Sequence, residues 1–160
     1  MAATRFFKQR GIEVFASDFG NPPDKSLQEL QNLEIPYEIG KHTEKIYATD
    51  LILVSPGIAA HHPILIEARK RKIPICPEIE AAYHFSPCPI IAITGTNGKS
   101  SVSALVAHLM KQAGLDSRLV GNIGIPLLEE IPTLTPKSWA VMEASSFQLE
   151  TITNLYAQVE

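Results

Sequence analysis

The sequence lacks any apolar run of about 20 residues, the length that a helix needs to cross a bilayer. Its first residues, MAATRFFKQRG, also lack the apolar core of about 7–15 residues that marks a secretory signal peptide. Cysteine is scarce, because only Cys76 and Cys88 are present and they do not have C-x-x-C spacing. A disulfide framework and a zinc site are therefore disfavoured. We expect a cytoplasmic protein without a membrane partner.

A strong charge of either sign is absent too. The 160 residues carry a net charge of −3, which leaves no basic footprint for DNA or RNA. Apolar residues make up 45% of the chain, an ordinary value for one globular domain or two small ones. We expect a monomer that has no nucleic-acid partner.

Short apolar runs alternate with amphipathic stretches along the whole chain, an order that favours an α/β fold with a mostly parallel sheet. The pattern predicts strands at 12–17, 50–55, 73–76, 89–94, 117–121 and 139–144. It predicts helices at 2–10, 25–33, 62–72, 78–85 and 99–113. Pro87 and Pro89 flank Cys88 and predict a boundary between a first unit, 1–87, and a second, 88–160. One continuous domain is the alternative.

The clearest helical pattern is the one at 99–113. Its apolar residues recur every three or four positions and form a single stripe: Val102, Leu105, Val106, Leu109, Met110 and Ala113. Gly114 follows where a helix C-cap belongs. At 1.5 Å per residue such a helix is about 22 Å long, enough for this stripe to cover one face of a sheet.

A glycine-rich loop joins the strand at 89–94 to this helix, with the sequence GTNGKS at 95–100. Its glycines let backbone N–H groups converge on an anion, and the helix N-terminus adds unpaired N–H groups and a partial positive charge. Lys99 would bring a full charge to nucleotide phosphates, and Ser100 a hydroxyl to Mg²⁺. The pattern therefore predicts a phosphate-binding loop. A plain strand-to-helix turn with an exposed lysine is the alternative.

Glu143 ends the apolar strand WAVMEA at 139–144. In a parallel sheet the carboxyl ends of the strands share one edge, so Glu143 would lie beside the phosphate loop and serve as a second anchor for Mg²⁺. A glutamate that caps the next helix is the alternative.

Four motifs together resemble the Mur ligases of peptidoglycan synthesis: GTNGKS at 95–100, GNIG at 121–124, EASSFQLE at 143–150 and LILVSPGI at 51–58. The stretch SSFQLE points within that family to the members that add D-glutamate. The loop alone is equally typical of folylpolyglutamate synthases. The resemblance implies a Rossmann-like N-terminal unit over 1–87, which binds a UDP-sugar. It also implies the start of a P-loop-type central ATPase domain over 88–160.

The resemblance also implies a reaction. A ligase of this kind uses ATP and Mg²⁺ to join D-glutamate to UDP-N-acetylmuramoyl-L-alanine through an acyl phosphate. Lys99 and Glu143 would be its catalytic residues, and Ser100 and Glu143 would hold the metal. The residues that bind ATP would be Thr96, Asn97, Gly98, Lys99, Ser100 and Ser101.

Substrate contacts are expected at the strand ends of both units. They are assigned to Asp18, Ser55, Pro56, Gly57, Asn122, Ser145 and Gln148. Local alternatives exist for three of these residues. Asp18 and Asn122 also suit plain turns, and Ser145, or Ser146 next to it, suits the cap of a helix over 147–155.

The family resemblance further implies segments outside the chain. A first strand with a Gly-rich loop would precede Met1. An aspartate-histidine segment, a modified lysine and a C-terminal domain would follow Glu160. On that expectation the chain cannot complete the reaction alone. A stand-alone ATP-binding module without ligase activity is the alternative from a different class.

Overall fold

The computed structural model describes residues 1–145, 148 and 152. Helices and strands alternate through these residues. The helices are α1 Ala2–Lys8, α2 Asp24–Asn32, α3 Pro63–Lys70, α4 Glu78–Phe85, α5 Lys99–Gln112 and α6 Leu127–Glu130. The strands are β1 Ala16–Asp18, β2 Tyr37–Ile39, β3 Ile52–Val54, β4 Ile75–Pro77, β5 Ile90–Ile93, β6 Ser117–Gly121 and β7 Trp139–Glu143. Two short 3₁₀ helices span Glu44–Tyr47 and Ile131–Thr133.

Every pair of neighbouring strands among the described residues is parallel. In the first unit β1 pairs with β2 and β3 with β4. In the second unit β7 lies between β5 and β6. The predicted α/β class with a mostly parallel sheet is therefore confirmed.

Strand β7 is buried on both faces, as expected for the central strand of a covered parallel sheet. Ala140, Met142 and Ala144 belong to the main apolar core. Val141 and Glu143 alternate with them and so point to the opposite face, because successive side chains of a strand project to opposite sides. Glu143 is only 1% exposed.

The apolar stripe of α5 does not pack as a unit against the sheet. Val102, Leu105 and Leu109 are 47%, 55% and 56% exposed, whereas Ser103 and Ala107 are buried. The face made of small residues lets α5 lie close to the sheet, where the Ser117 hydroxyl donates a hydrogen bond of 2.8 Å to the carbonyl of Ala107. Periodicity thus predicted the helix correctly, but the prediction of its buried face was wrong.

The main core crosses the predicted boundary at 87 and 88. Phe6 from α1 and Ile79 from α4 belong to the same cluster as Leu128 from α6. Arg5 adds a polar link, because its guanidinium bonds Glu29 at 2.6 Å and Glu129 at 3.0 Å. The two units are therefore packed together. The boundary between them stays a prediction.

Several elements differ from the prediction. The strand expected at 12–17 begins only at Ala16, since β2 provides ladder partners for Ala16–Asp18 alone. Strand β2, helix α6 and both 3₁₀ helices were missed; each has only three or four residues, too few to show a period. The helix predicted over 147–155 lies outside the described residues except for Gln148 and Ile152. Among the described residues, no helix has the length and apolar character to cross a bilayer.

The shared core predicts that truncation of Leu128 and truncation of Leu105 lower the free energy of unfolding by different amounts. Leu128 is 1% exposed, so Leu128→Ala should lower the free energy of unfolding by about 2–5 kcal/mol through lost apolar contacts and a residual cavity. Leu105→Ala removes the same atoms from an exposed site and should change the free energy of unfolding by less than about 0.5 kcal/mol. Urea unfolding of both variants measures the difference. Equal losses would contradict the assigned packing of α5.

Candidate functional site

The loop after β5 has the geometry of an anion-binding turn. Gly98 is the residue that precedes α5, and its φ of +76° is in the left-handed region, which glycine adopts without strain. No side chain in the described part of the protein caps α5 at this end, so the first N–H groups of the helix face the loop without a capping hydrogen bond. The ammonium of Lys99 donates a hydrogen bond of 2.8 Å to the carbonyl of Gly95, which folds the side chain over the loop.

The residues assigned to ATP surround this turn. Thr96, Asn97, Gly98, Ser100 and Ser101 are exposed, and Lys99 is half-buried. Ser100 and Ser101 belong to the first turn of α5, so both lie next to the open N–H groups. The structure thus brings the predicted loop residues together at one end of one helix.

Glu143 lies beside this loop, as the parallel sheet requires. Its Cα is in register with Ile93 at the end of β5 and with Gly121 at the end of β6. The phosphate loop leaves the sheet just after Ile93, and the loop at 121–124 leaves it from Gly121. Glu143 therefore ends the central strand between two loops, which is where its sequence position predicted it.

The carboxylate of Glu143 is only half satisfied by its neighbours. One oxygen, Oε1, accepts a hydrogen bond of 3.0 Å from the side-chain amide of Asn122. The other, Oε2, is buried and has no hydrogen-bond partner among the described residues. A buried carboxylate oxygen without a partner is costly, and a cation compensates it well.

Mg²⁺ fits this donor set. A hard cation prefers oxygen ligands, and Mg²⁺ commonly binds through one or two protein oxygens together with substrate phosphates. Glu143 Oε2 offers the carboxylate oxygen and Ser100 a hydroxyl near the helix N-terminus. No group of three or more His, Cys, Asp or Glu side chains within the described part of the chain is arranged to hold a metal. The remaining ligands would therefore come from phosphates and water.

Asn122 is in a turn, and its side chain points to Glu143. Its backbone N–H donates to the carbonyl of Glu143 at 2.9 Å, while the N–H of Gly121 donates to the carbonyl of Ile125 at 3.0 Å. The turn that the spacing Gly-Asn-x-Gly suggested is therefore present. The hydrogen bond to Glu143 was missed, because residues 21 positions apart show no pattern in the sequence.

Ser145 and Gln148 bond each other reciprocally. The Ser145 N–H donates to Gln148 Oε1 at 2.8 Å, and the Gln148 N–H donates to Ser145 Oγ at 3.3 Å. This is the hydrogen-bond pattern of a capping box, so the helix-cap alternative for Ser145 matches the geometry. Ser146 lies outside the described residues.

Some of the predicted substrate residues of both units line one groove. Ser55, Pro56 and Gly57, at the carboxyl end of β3, line it together with Gln148 from the second unit. Glu78, at the start of α4, also lines this groove, and burial raises the pKa of its carboxyl group. Glu78 was missed by the sequence reasoning, since a glutamate in the first turn of a helix is unremarkable.

Asp18 is not among the residues that line this groove. Its carboxylate accepts a hydrogen bond of 2.7 Å from the N–H of Gly20, so the turn alternative for Asp18 matches the geometry.

Three rings lie at the same edge of the first unit. The rings of Phe19 and His42 have centroids 6.0 Å apart, and those of His42 and His62 are 6.4 Å apart. His42 bonds Ser17 Oγ at 2.6 Å.

Comparison with known families agrees with this architecture. Residues 1–77 match the family described as Mur ligase MurD-like, N-terminal domain, and residues 93–159 match the Mur ligase middle domain. The chain belongs to the Mur ligase family. The resemblance drawn from the four sequence motifs is thereby confirmed, and the two matched segments fall on either side of Pro87.

Curated relatives in this family carry the name UDP-N-acetylmuramoylalanine–D-glutamate ligase. The one from Christiangramia forsetii is 42% identical over 146 residues, which cover 91% of this chain and 33% of the relative. The one from Buchnera aphidicola subsp. Schizaphis graminum is 40% identical over 160 residues, which cover 99% and 36%. The chain thus spans about a third of the length of these relatives.

Solved structures of Mur ligases share the fold. A UDP-N-acetylmuramate:L-alanyl-gamma-D-glutamyl-meso-diaminopimelate ligase from Neisseria meningitides is 16% identical with a TM-score of 0.53, over 91% of this chain and 50% of that one. A UDP-N-acetylmuramate-alanine ligase from Thermotoga maritima is 23% identical with a TM-score of 0.50, over 90% and 34%. Both identities are low, so these likenesses concern the fold.

The contact between the ends of β6 and β7 predicts a strict need for glycine at position 121. Its φ is +101°, and an added Cβ would overlap the carbonyl oxygen of Glu143. Gly114→Ala is the matched control, since Gly114 has a φ of +79° and, its chain neighbours aside, no atom of another described residue would lie within 4 Å of an added Cβ. Gly121→Ala should therefore cost about 1–3 kcal/mol more of unfolding free energy than Gly114→Ala.

Urea denaturation of the two alanine variants measures this difference. Similar losses in both would mean that only the backbone conformation matters at Gly121 and that the β6 end does not press against Glu143.

Proposed function

We propose that the whole protein is an ATP-dependent ligase that joins D-glutamate to UDP-N-acetylmuramoyl-L-alanine. The observation that carries the proposal is the phosphate loop at the end of β5 beside Glu143, whose buried Oε2 has no partner among residues 1–145, 148 and 152. The names of the curated relatives support the same reaction and the same substrates. The described residues would supply the ATP site and part of the UDP-sugar site.

The proposed reaction has two steps. The terminal carboxylate of the UDP-sugar substrate attacks the γ-phosphorus of ATP, the bond to the β-phosphate oxygen breaks, and ADP leaves. The amine of D-glutamate then attacks the carbonyl carbon of the acyl phosphate. Phosphate leaves, the amine loses a proton, and an amide bond remains. Phosphoryl transfer of this kind depends mainly on positioning and on neutralising charge.

The loop residues would carry out the positioning. The open N–H groups at the start of α5 would bind phosphate oxygens, and the ammonium of Lys99 would exchange its bond with the Gly95 carbonyl for one with a phosphate. Ser100 and Glu143 would hold Mg²⁺, which when bound would neutralise negative charge on the phosphates. Glu143 is the residue of this set that reaches the nucleotide from the neighbouring strand.

The groove between the units would form one edge of the UDP-sugar site. Ser55, Pro56 and Gly57 come from the Rossmann-like side of this groove, and Gln148 from the ATP-binding side. Ligands of open parallel sheets bind outside the carboxyl ends of the strands, where this groove lies. Asp18 is the further candidate contact, at the carboxyl end of β1.

Calorimetric titration of the chain with ATP and Mg²⁺ tests the nucleotide site. Lys99→Ala should weaken ATP binding about 10- to 100-fold, because it removes a charge-assisted hydrogen bond worth about 1.5–3 kcal/mol. Lys111→Ala is the matched control, since it removes a lysine from the last turn of the same helix. If Lys99→Ala binds ATP as tightly as the unchanged chain, the loop is not the ATP site.

Titration with UDP-N-acetylmuramoyl-L-alanine separates the ligase from the other candidates. A sibling folylpolyglutamate synthase would bind a folate instead, and a stand-alone ATP-binding module would bind neither. In the whole protein, release of phosphate should require ATP, the UDP-sugar and D-glutamate together. Phosphate release that is independent of D-glutamate would contradict the proposed reaction.

A further inference from the structure

The side chain of Asn122 contacts the Glu143 carboxylate directly. The loop at 121–124 would keep its shape without this side chain, because backbone hydrogen bonds anchor it at both ends. The Asn122 N–H bonds the Glu143 carbonyl at 2.9 Å, and the Gly121 N–H bonds the Ile125 carbonyl at 3.0 Å. The side-chain amide therefore adds a further hydrogen bond, and among the described residues its partner is the Glu143 carboxylate.

The hydrogen bond has a specific effect on the carboxylate. A carboxylate has two oxygens, and either or both can bind a cation. Asn122 Nδ2 bonds Oε1 at 3.0 Å, whereas Oε2 is buried and has no partner within the part of the chain that the structure describes. Strand pairing on both sides holds the backbone of Glu143. With the backbone held, the hydrogen bond from Asn122 also restricts the rotation of the carboxylate. Asn122 therefore engages one oxygen of the carboxylate and leaves Oε2 as the oxygen that no described residue bonds.

We propose that Asn122 is a positioning residue for the metal site: it orients Glu143 so that the cation binds through Oε2 alone. This inference rests on the proposed function, because it concerns the Mg²⁺ that accompanies ATP. It assigns Asn122 a different role from the substrate contact expected from the sequence. Groups that orient a metal ligand commonly change metal affinity by about 10- to 100-fold when they are removed.

The test compares nucleotide binding with and without metal in the full chain. AMPPNP, a non-hydrolysable ATP analogue, is titrated calorimetrically without metal and then with saturating Mn²⁺. The Kd without metal divided by the Kd with metal measures how much the metal strengthens nucleotide binding. In Asn122→Ala this ratio should fall about tenfold, while the metal-free Kd stays within about twofold. A general structural defect would instead change the metal-free Kd.

Two further variants serve as the positive and the negative control for this result. Glu143→Gln should lower the ratio at least as much as Asn122→Ala, since it changes the ligand itself. Ile125→Ala is the matched control, because Ile125 is an exposed side chain of the adjoining segment, 46% accessible, and should leave the ratio unchanged. If Glu143→Gln lowers the ratio but Asn122→Ala does not, the positioning role is wrong and the proposed function stands. If the unchanged chain binds AMPPNP equally well with and without metal, the positioning role is wrong, whereas phosphate release by the whole protein tests the proposed function separately.

A separate titration addresses the substrate role of Asn122. Asn122→Ala should bind UDP-N-acetylmuramoyl-L-alanine within about twofold of the unchanged chain. A loss of UDP-sugar affinity with an unchanged metal ratio would overturn the inference in favour of a substrate contact.

A measurement on the unchanged chain does not depend on how the variant folds. The side-chain NH₂ resonances of Asn122 should shift when Mg²⁺ is added in the presence of AMPPNP, because the acceptor of their hydrogen bond then binds a cation. Resonances that stay in place while those of the loop at 95–100 shift would contradict a link between Asn122 and the metal.

Discussion

Burial of the Glu143 carboxylate is the constraint around which the second unit is arranged. A carboxylate removed from water needs hydrogen bonds or a counter-charge, and the apolar strand β7 offers neither. The compensation comes from the carboxyl edge of the sheet, where β5 and β6 end in register with Glu143. The β6 side supplies the amide of Asn122, and the β5 side ends in the loop where we propose that phosphates and a cation bind. The proposed chemistry of the site follows from this division.

The strand order makes the arrangement possible. Strand β7 comes last in the chain but lies between β5 and β6, so the two loops that flank Glu143 come from segments far apart in sequence. The other face of β7 contributes Ala140 and Met142 to the core shared with α1, α4 and α6. One strand therefore links the core to the site, and its two faces have different tasks: one packs the units together and the other carries the carboxylate.

The sequence predicted the parts of this fold that have a long-range pattern or a motif. Helices α4 and α5, strand β6 and the loop at 95–100 were located well, because each has a clear period or a characteristic glycine spacing. The three-residue strand β2 and the four-residue helix α6 were missed, since they are too short to show either. The buried face of α5 was predicted wrongly because periodicity shows that a helix has an apolar stripe, while close packing on the sheet favoured its small residues, Ser103 and Ala107.

Motifs within the sequence by themselves determined the family, the α/β class and the positions of Lys99, Ser100 and Glu143, because each depends on local order along the chain. The tertiary structure decided which of these groups meet. Strand pairing placed Asn122 on Glu143, whose Oε2 has no partner among the described residues. Packing of the two units brought Gln148 to the groove lined by Ser55, Pro56 and Gly57. Such contacts join residues many positions apart, and only the register of the sheet and the packing of the two units specify them.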